Sequence, residues 1–119
     1  MTNFRRGDVV LVLFPDSNLQ TAKKRPALIV QADHLQTGLR QVIVAMITSN
    51  MSRADHASRV AVYLDSPIRE QSGLRLDSVV VTDNLATVRE SFIGKVLGHL
   101  PTMVEVEHAL AYTFGLHLR

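Results

Sequence analysis

The sequence predicts a mainly β fold, a small barrel of five to six strands with a helix at its C-terminal end. Short apolar, β-branched runs recur at close spacing between residues 9 and 97, and no helical period separates them. The hydrophobic period changes to that of a helix only in the last segment.

The first strand is Val9-Val10-Leu11-Val12-Leu13-Phe14, opened by Gly7-Asp8 and closed by the turn formers Pro15-Asp16-Ser17-Asn18. A polar loop over residues 16–25 is expected to stand over a surface and to lead into a second strand at 26–31. Residues 41–47 make the third strand and residues 59–64, which alternate, the fourth. Ser78-Val79-Val80-Val81-Thr82 is the fifth, and residues 92–97 a short sixth whose Gly94 suggests a bulge or a close backbone approach. Residues 50–58 and 66–74 read as loops or short helical turns. Val106, Ala109, Leu110, Thr113 and Phe114 form one helical stripe, with Thr102 and Glu105 spaced as a capping box and Gly115 placed as the stop.

With 119 residues the chain fits one domain over 1–119, long enough to bury about two-thirds of its unfolded surface. A content of 46% hydrophobic and 20% charged residues excludes a disordered tail. No apolar run approaches the roughly 20 residues of a membrane helix, and the first residues lack a secretory signal. A cytoplasmic protein without membrane contact is expected. Cysteine is absent, which removes disulfides, a thiolate nucleophile and Cys-based zinc sites.

The formal net charge is only +2, but ten arginines stand against three lysines, and guanidinium is the better group for gripping phosphate with two parallel bonds. Lys23-Lys24-Arg25 meets Pro26 and an apolar run, which puts a fixed guanidinium at the rim of a scaffold. The third strand ends in Thr48-Ser49-Asn50, hydroxyls and an amide displayed at a strand end, a place that also suits ordinary turn formers. Arg75 and Asp77 precede the fifth strand two residues apart, so that in extended chain they share a face and reach one ligand or each other. Asp8 after Gly7 reads as turn chemistry. The five histidines show no metal-binding spacing, and His56 is the one considered for acid or base work. There is no glycine-rich phosphate loop and no Gly-x-Ser-x-Gly elbow. No metal and no cofactor is expected.

Arg6-Gly7-Asp8-Val9-Val10, Phe14-Pro15, Lys24-Arg25-Pro26-Ala27-Leu28-Ile29-Val30, Ile47-Thr48-Ser49 and Asp77-Ser78-Val79 occur in the order and spacing of the MazF/PemK (Kid) toxin ribonucleases, which the chain resembles over nearly its whole length. The resemblance implies a small SH3-like barrel with a C-terminal helix, a homodimer, and metal-independent cleavage of single-stranded RNA, usually messenger RNA, under the control of a cognate antitoxin. Arg25 and Thr48 match the family's two principal active-site positions, and Arg75 and Asp77 resemble the arginine and aspartate of the PemK/Kid-type members. Arg25 then stabilises the phosphoryl transition state, Thr48 positions the phosphate, and Asp77 is the candidate base. Lys23, Lys24, Ser49, Asn50 and Ser78 are expected to contact substrate. Many members carry an Arg-Thr pair where this chain has Ala86-Thr87, which leaves Arg89 as a substitute cation. The alternative is a non-catalytic toxin of the same fold that inhibits a protein such as DNA gyrase, as CcdB does.

Overall fold

The computed structural model describes residues 4–15, 18, 20–66 and 68–117. Residues 1–3 and the turn residues Asp16 and Ser17 lie outside them. Six strands, β1 (Asp8–Pro15), β2 (Ala22–Ile29), β3 (Gln41–Thr48), β4 (Arg59–Val62), β5 (Ser78–Arg89) and β6 (Ile93–His99), are joined by short 3₁₀ turns at Met51–Arg53 and Glu90–Phe92 and by helix α1 (Ile68–Ser72). Helix α2 (Val104–Phe114) ends the fold. The strands form one antiparallel sheet in the order β4-β5-β3-β2-β1-β6. Among the described residues its edge strands β4 and β6 are not paired with each other, so the barrel is an open one, a curled sheet.

The sheet buries both faces, which is why its strands read as continuous apolar runs. Val9, Leu28, Ala45, Val60 and Val80 face a core that Val106 and Ala109 of α2 cover. Their neighbours Val10, Ala27 and Val44 face a second core with Val12, Ile29 and Val88, against which Phe4, Phe14 and Ile93 pack.

Register moves three boundaries. β2 begins at Ala22 rather than Pro26, because the hairpin with β1 carries the charged residues into the ladder, with Lys24 opposite Leu13 and Arg25 opposite Val12. β3 pairs with β2 only from Ala27 onward, so the cationic stretch has a single neighbour and stays exposed. Pro26, which has no N–H to offer, sits just before that second pairing begins. The residues expected to form a loop at 22–25 are therefore strand. β5 continues to Arg89 instead of stopping at Thr82: Met46 pairs with Val81 and Ala45 with Leu85, which leaves Thr82, Asp83 and Asn84 as a bulge. β4 ends at Val62, short of Leu64.

Helix α2 is capped at Met103 with no side-chain bond, and Thr102 Oγ1 accepts from Val104 N–H at 3.3 Å in place of the expected capping box. Gly115 stops it at φ 68°, its N–H shared between the Ala111 and Tyr112 carbonyls. Among the described residues no helix is long and apolar enough to cross a membrane.

Candidate active site

A cleft of about 1170 Å³ is lined by residues of all six strands together with the chain around residues 73–76. Its wall is set by a close approach of α1 to β6. A Cβ on Gly73, at φ +73°, would land on the Leu97 carbonyl, and one on Gly98 would land on the backbone of Gln71 and Ser72. The floor is apolar, with Leu11, Pro26, Met46, Leu74 and Leu97.

The rim is cationic. Lys24 and Arg25 from β2, Arg53 from the 3₁₀ turn, Arg59 from β4, Arg75 before β5 and Lys95 from β6 all line the cleft, against one carboxylate among the described residues, Asp83. Arg59 is committed to that carboxylate, Nε to Oδ1 and Nη2 to Oδ2 at 3.0 Å each, and donates Nη1 to the Arg53 carbonyl. The Arg59 guanidinium holds the Asp83 carboxyl below the usual carboxylate range, against a smaller opposing effect of desolvation. Among the described residues the other five cations make no ion pair. A chain of formal net charge +2 thus concentrates its positive field at one opening.

Thr48, half-buried at the end of β3, accepts the Asn50 N–H on Oγ1 at 3.1 Å, which fixes the hydroxyl oxygen and leaves its hydrogen to donate. Beside it Ser49 is exposed and lines the cleft. Ser78 also lines it, buried, with its hydroxyl donating to the Leu76 carbonyl at 2.8 Å. Of the residues singled out in the sequence, Arg25, Thr48, Arg75, Lys24, Ser49 and Ser78 meet in the cleft.

Others are placed elsewhere. Lys23, Asn50 and Asp77 are not among the lining residues. Asn50 spends its side-chain oxygen on Ser52, accepting from the backbone N–H at 3.2 Å and the hydroxyl at 2.6 Å, as the N-cap of the 3₁₀ turn. Asp77 does not share a strand face with Arg75, since β5 begins after it, and its Oδ1 accepts the Leu64 N–H at 2.7 Å. His56 also lies outside the cleft lining, its Nδ1 2.7 Å from Ser58 Oγ and its ring edge-on to Tyr112. Arg89 pairs with Gln41 at the far end of β5, while Ala86 faces the cleft without a charge. Asp8 has the turn role expected of it: Oδ2 accepts the Arg5 N–H at 2.9 Å and Oδ1 the His99 Nδ1–H at 2.8 Å.

Arg53, Arg59, Lys95, Asp83 and Asn84 are the cleft residues that local sequence did not single out. Nothing in their spacing marks them, because only the β1–β6, β4–β5 and β3–β5 registers bring them to one opening.

Comparison with known proteins identifies the family. A family model described as PemK-like, MazF-like toxin of type II toxin-antitoxin system matches residues 5–114. The chain is 31% identical over 118 residues to an endoribonuclease MazF of Staphylococcus saprophyticus, covering 95% of this chain and 92% of that one. An endoribonuclease from Mycobacterial species shares the fold at a TM-score of 0.74 and 24% identity over 100% of this chain and 98% of its own. An endoribonuclease in complex with its cognate antitoxin, also from Mycobacterial species, superposes at a TM-score of 0.73 and 25% identity over 98% and 99%. Over nearly its whole length, then, this chain belongs to the PemK-like, MazF-like toxin family of type II toxin-antitoxin systems.

Proposed function

We propose that the chain is a toxin endoribonuclease that cleaves single-stranded RNA, messenger RNA included, at a short sequence, acting as a homodimer in the cytoplasm and neutralised by a cognate antitoxin. The observation that carries this is the convergence of six cations from five segments of the chain on one cleft, beside the hydroxyls of Thr48 and Ser49.

In this reaction the ribose 2′-hydroxyl gives up its proton as its oxygen attacks the adjacent phosphorus, the bond to the 5′-oxygen breaks as that oxygen takes up a proton, and a 2′,3′-cyclic phosphate is left behind. Negative charge gathers on the phosphoryl oxygens, and preorganised donors aimed at that charge lower the barrier. Arg25 suits the task because its cation is permanent and its planar fork spans two oxygens. Thr48, with its oxygen held by Asn50 N–H, donates to a phosphoryl oxygen and fixes the phosphate. Arg75 supplies a second cation from the opposite segment, and Lys24 and Lys95 hold flanking phosphates. Asp77 enters through the Leu64 N–H, holding the segment that presents Arg75. A 2′-hydroxyl nucleophile accounts for a preference for RNA and calls for no protein nucleophile and no metal. The antitoxin's acidic segment would occupy the same cations and compete with RNA.

The test is incubation of single-stranded RNA with the purified protein in chelator, followed by mapping of the new 5′ ends. Arg25→Ala is expected to lower cleavage by about a hundredfold or more without loss of fold, since the side chain is exposed. Cleavage by that variant at the wild-type rate would sink the proposal.

A further inference from the structure

Asp83 is electrostatically out of place. Among the described charged residues that line the cleft it is the one carboxylate, and a carboxylate repels the phosphates that its neighbours attract. Its position is nonetheless firmly built. The bulge that carries it is nailed down by Thr82, fully buried, whose N–H and hydroxyl both donate to the Ser58 carbonyl at 3.1 and 2.6 Å and whose Oγ1 lies 2.8 Å from Thr113 Oγ1 on α2. Arg59 then clamps the carboxylate itself with two 3.0 Å bonds, and Ser58 Oγ stands 3.2 Å from Oδ1.

A carboxylate has about four acceptor sites. Arg59 takes two of them, and Ser58 and the residue's own backbone N–H bear on the rest, yet the Asp83 side chain stays 41% exposed to an incoming donor. What remains is a rigid acceptor, ionised by its cation and unable to donate, on the wall of a cleft made for RNA. Single-stranded RNA is read on the edges of splayed bases, and an acceptor there selects amino groups. Cytosine, adenine and guanine carry one; uracil presents carbonyl oxygens at the exocyclic positions and offers a donor only at its ring N3–H, set back between them.

We propose, on the reading that this cleft holds RNA, that Asp83 is a specificity-determining residue: its carboxylate, fixed by Arg59, accepts a hydrogen bond from the exocyclic amino group of a base beside the scissile phosphate and discriminates against uracil at that position. Arg59 is a positioning residue in this scheme and does not touch the base.

The experiment uses the full chain, its Asp83→Asn and Arg59→Gln variants, and a single-stranded RNA pool randomised around the cleavage position, with 5′ ends mapped after partial digestion. The wild type is expected to disfavour uracil at one flanking position by about tenfold or more. Asp83→Asn keeps the shape and an oxygen for Arg59 but adds amide donors, and it should flatten that preference; Arg59→Gln leaves the carboxylate in place and should weaken the preference without changing its sign. A second measurement needs no variant: removing the amino group from the preferred base, as with inosine for guanosine or purine riboside for adenosine, should lower wild-type kcat/KM by about tenfold. An identical base profile for wild type and Asp83→Asn, an equal change in both variants, or indifference of the wild type to the missing amino group overturns the role of Asp83 while leaving the ribonuclease reading intact. Failure of the wild type to cut any RNA overturns both.

Discussion

Lys95→Ala isolates the contribution of a cation that reaches the cleft through sheet register alone. Lys95 lies opposite Leu11 on β6, is exposed, and has no ion-pair partner among the described residues. With Arg59 tied to Asp83, five cations remain to meet phosphates: Lys24, Arg25, Arg53, Arg75 and Lys95. Each phosphate neutralised on a single strand contributes about −0.7 to the slope of log affinity against log salt, so five give roughly −3.5. Raising salt from about 50 to about 200 mM should then weaken binding roughly a hundredfold. Lys95→Ala should bring the slope to about −2.8 and lower affinity roughly fivefold near 0.1 M salt. Fluorescence anisotropy with a labelled 2′-O-methyl RNA reads this directly, because such a strand lacks the nucleophile and stays intact. A wild-type slope shallower than about −1.5, or the same slope in Lys95→Ala and wild type, would refute the idea that these cations act together on one strand.

Asp77→Asn keeps an oxygen for the Leu64 N–H and should lower kcat by about threefold, whereas Asp77→Ala frees that amide and should cost at least tenfold; equal and near-complete loss in both would return Asp77 to the role of proton acceptor. Gly98→Ala drives a Cβ into the Gln71 and Ser72 backbone, neither of which can swing aside, and should lower Tm by roughly 10 °C; an unchanged Tm would mean that α1 and β6 are not packed as described. Asp83→Asn should cost at most about 1 kcal/mol of stability at neutral pH, because the carboxylate is well exposed to solvent. The folded carboxyl sits below its unfolded value of about 3.9, so this stabilisation is present above that value and is lost as pH falls through the lowered one. Thermal melts of the two proteins should accordingly converge in acid, and a gap that persists unchanged below about pH 2 would remove the ion pair as its source.

Much of the fold was legible because its strands are buried on both faces. Val9 to Val12 and Val79 to Val81 are long apolar runs whatever the register, and the stripe from Val106 to Phe114 permits little but a helix. Boundaries failed where charge or polarity sat inside a strand. Lys23, Lys24 and Arg25 look like loop residues until β1 is seen to pair with them, and Asp83-Asn84 looks like a strand end until Leu85 is seen to resume the ladder against Ala45.

The sequence by itself determined the architecture and the family, since each rests on local period or ordered motifs, and it singled out Arg25 and Thr48, which both line the cleft. Tertiary structure alone decided which charges meet. Lys95, Arg53 and Arg59 join Arg25 because β6, the 3₁₀ turn and β4 curl toward one opening. Asp77 is drawn to Leu64 N–H, and Asp83 stands in the cleft with Arg59 across its carboxylate. Periodicity reports which side of a strand is buried, but convergence of side chains depends on register between strands far apart in the chain, and no local pattern encodes that.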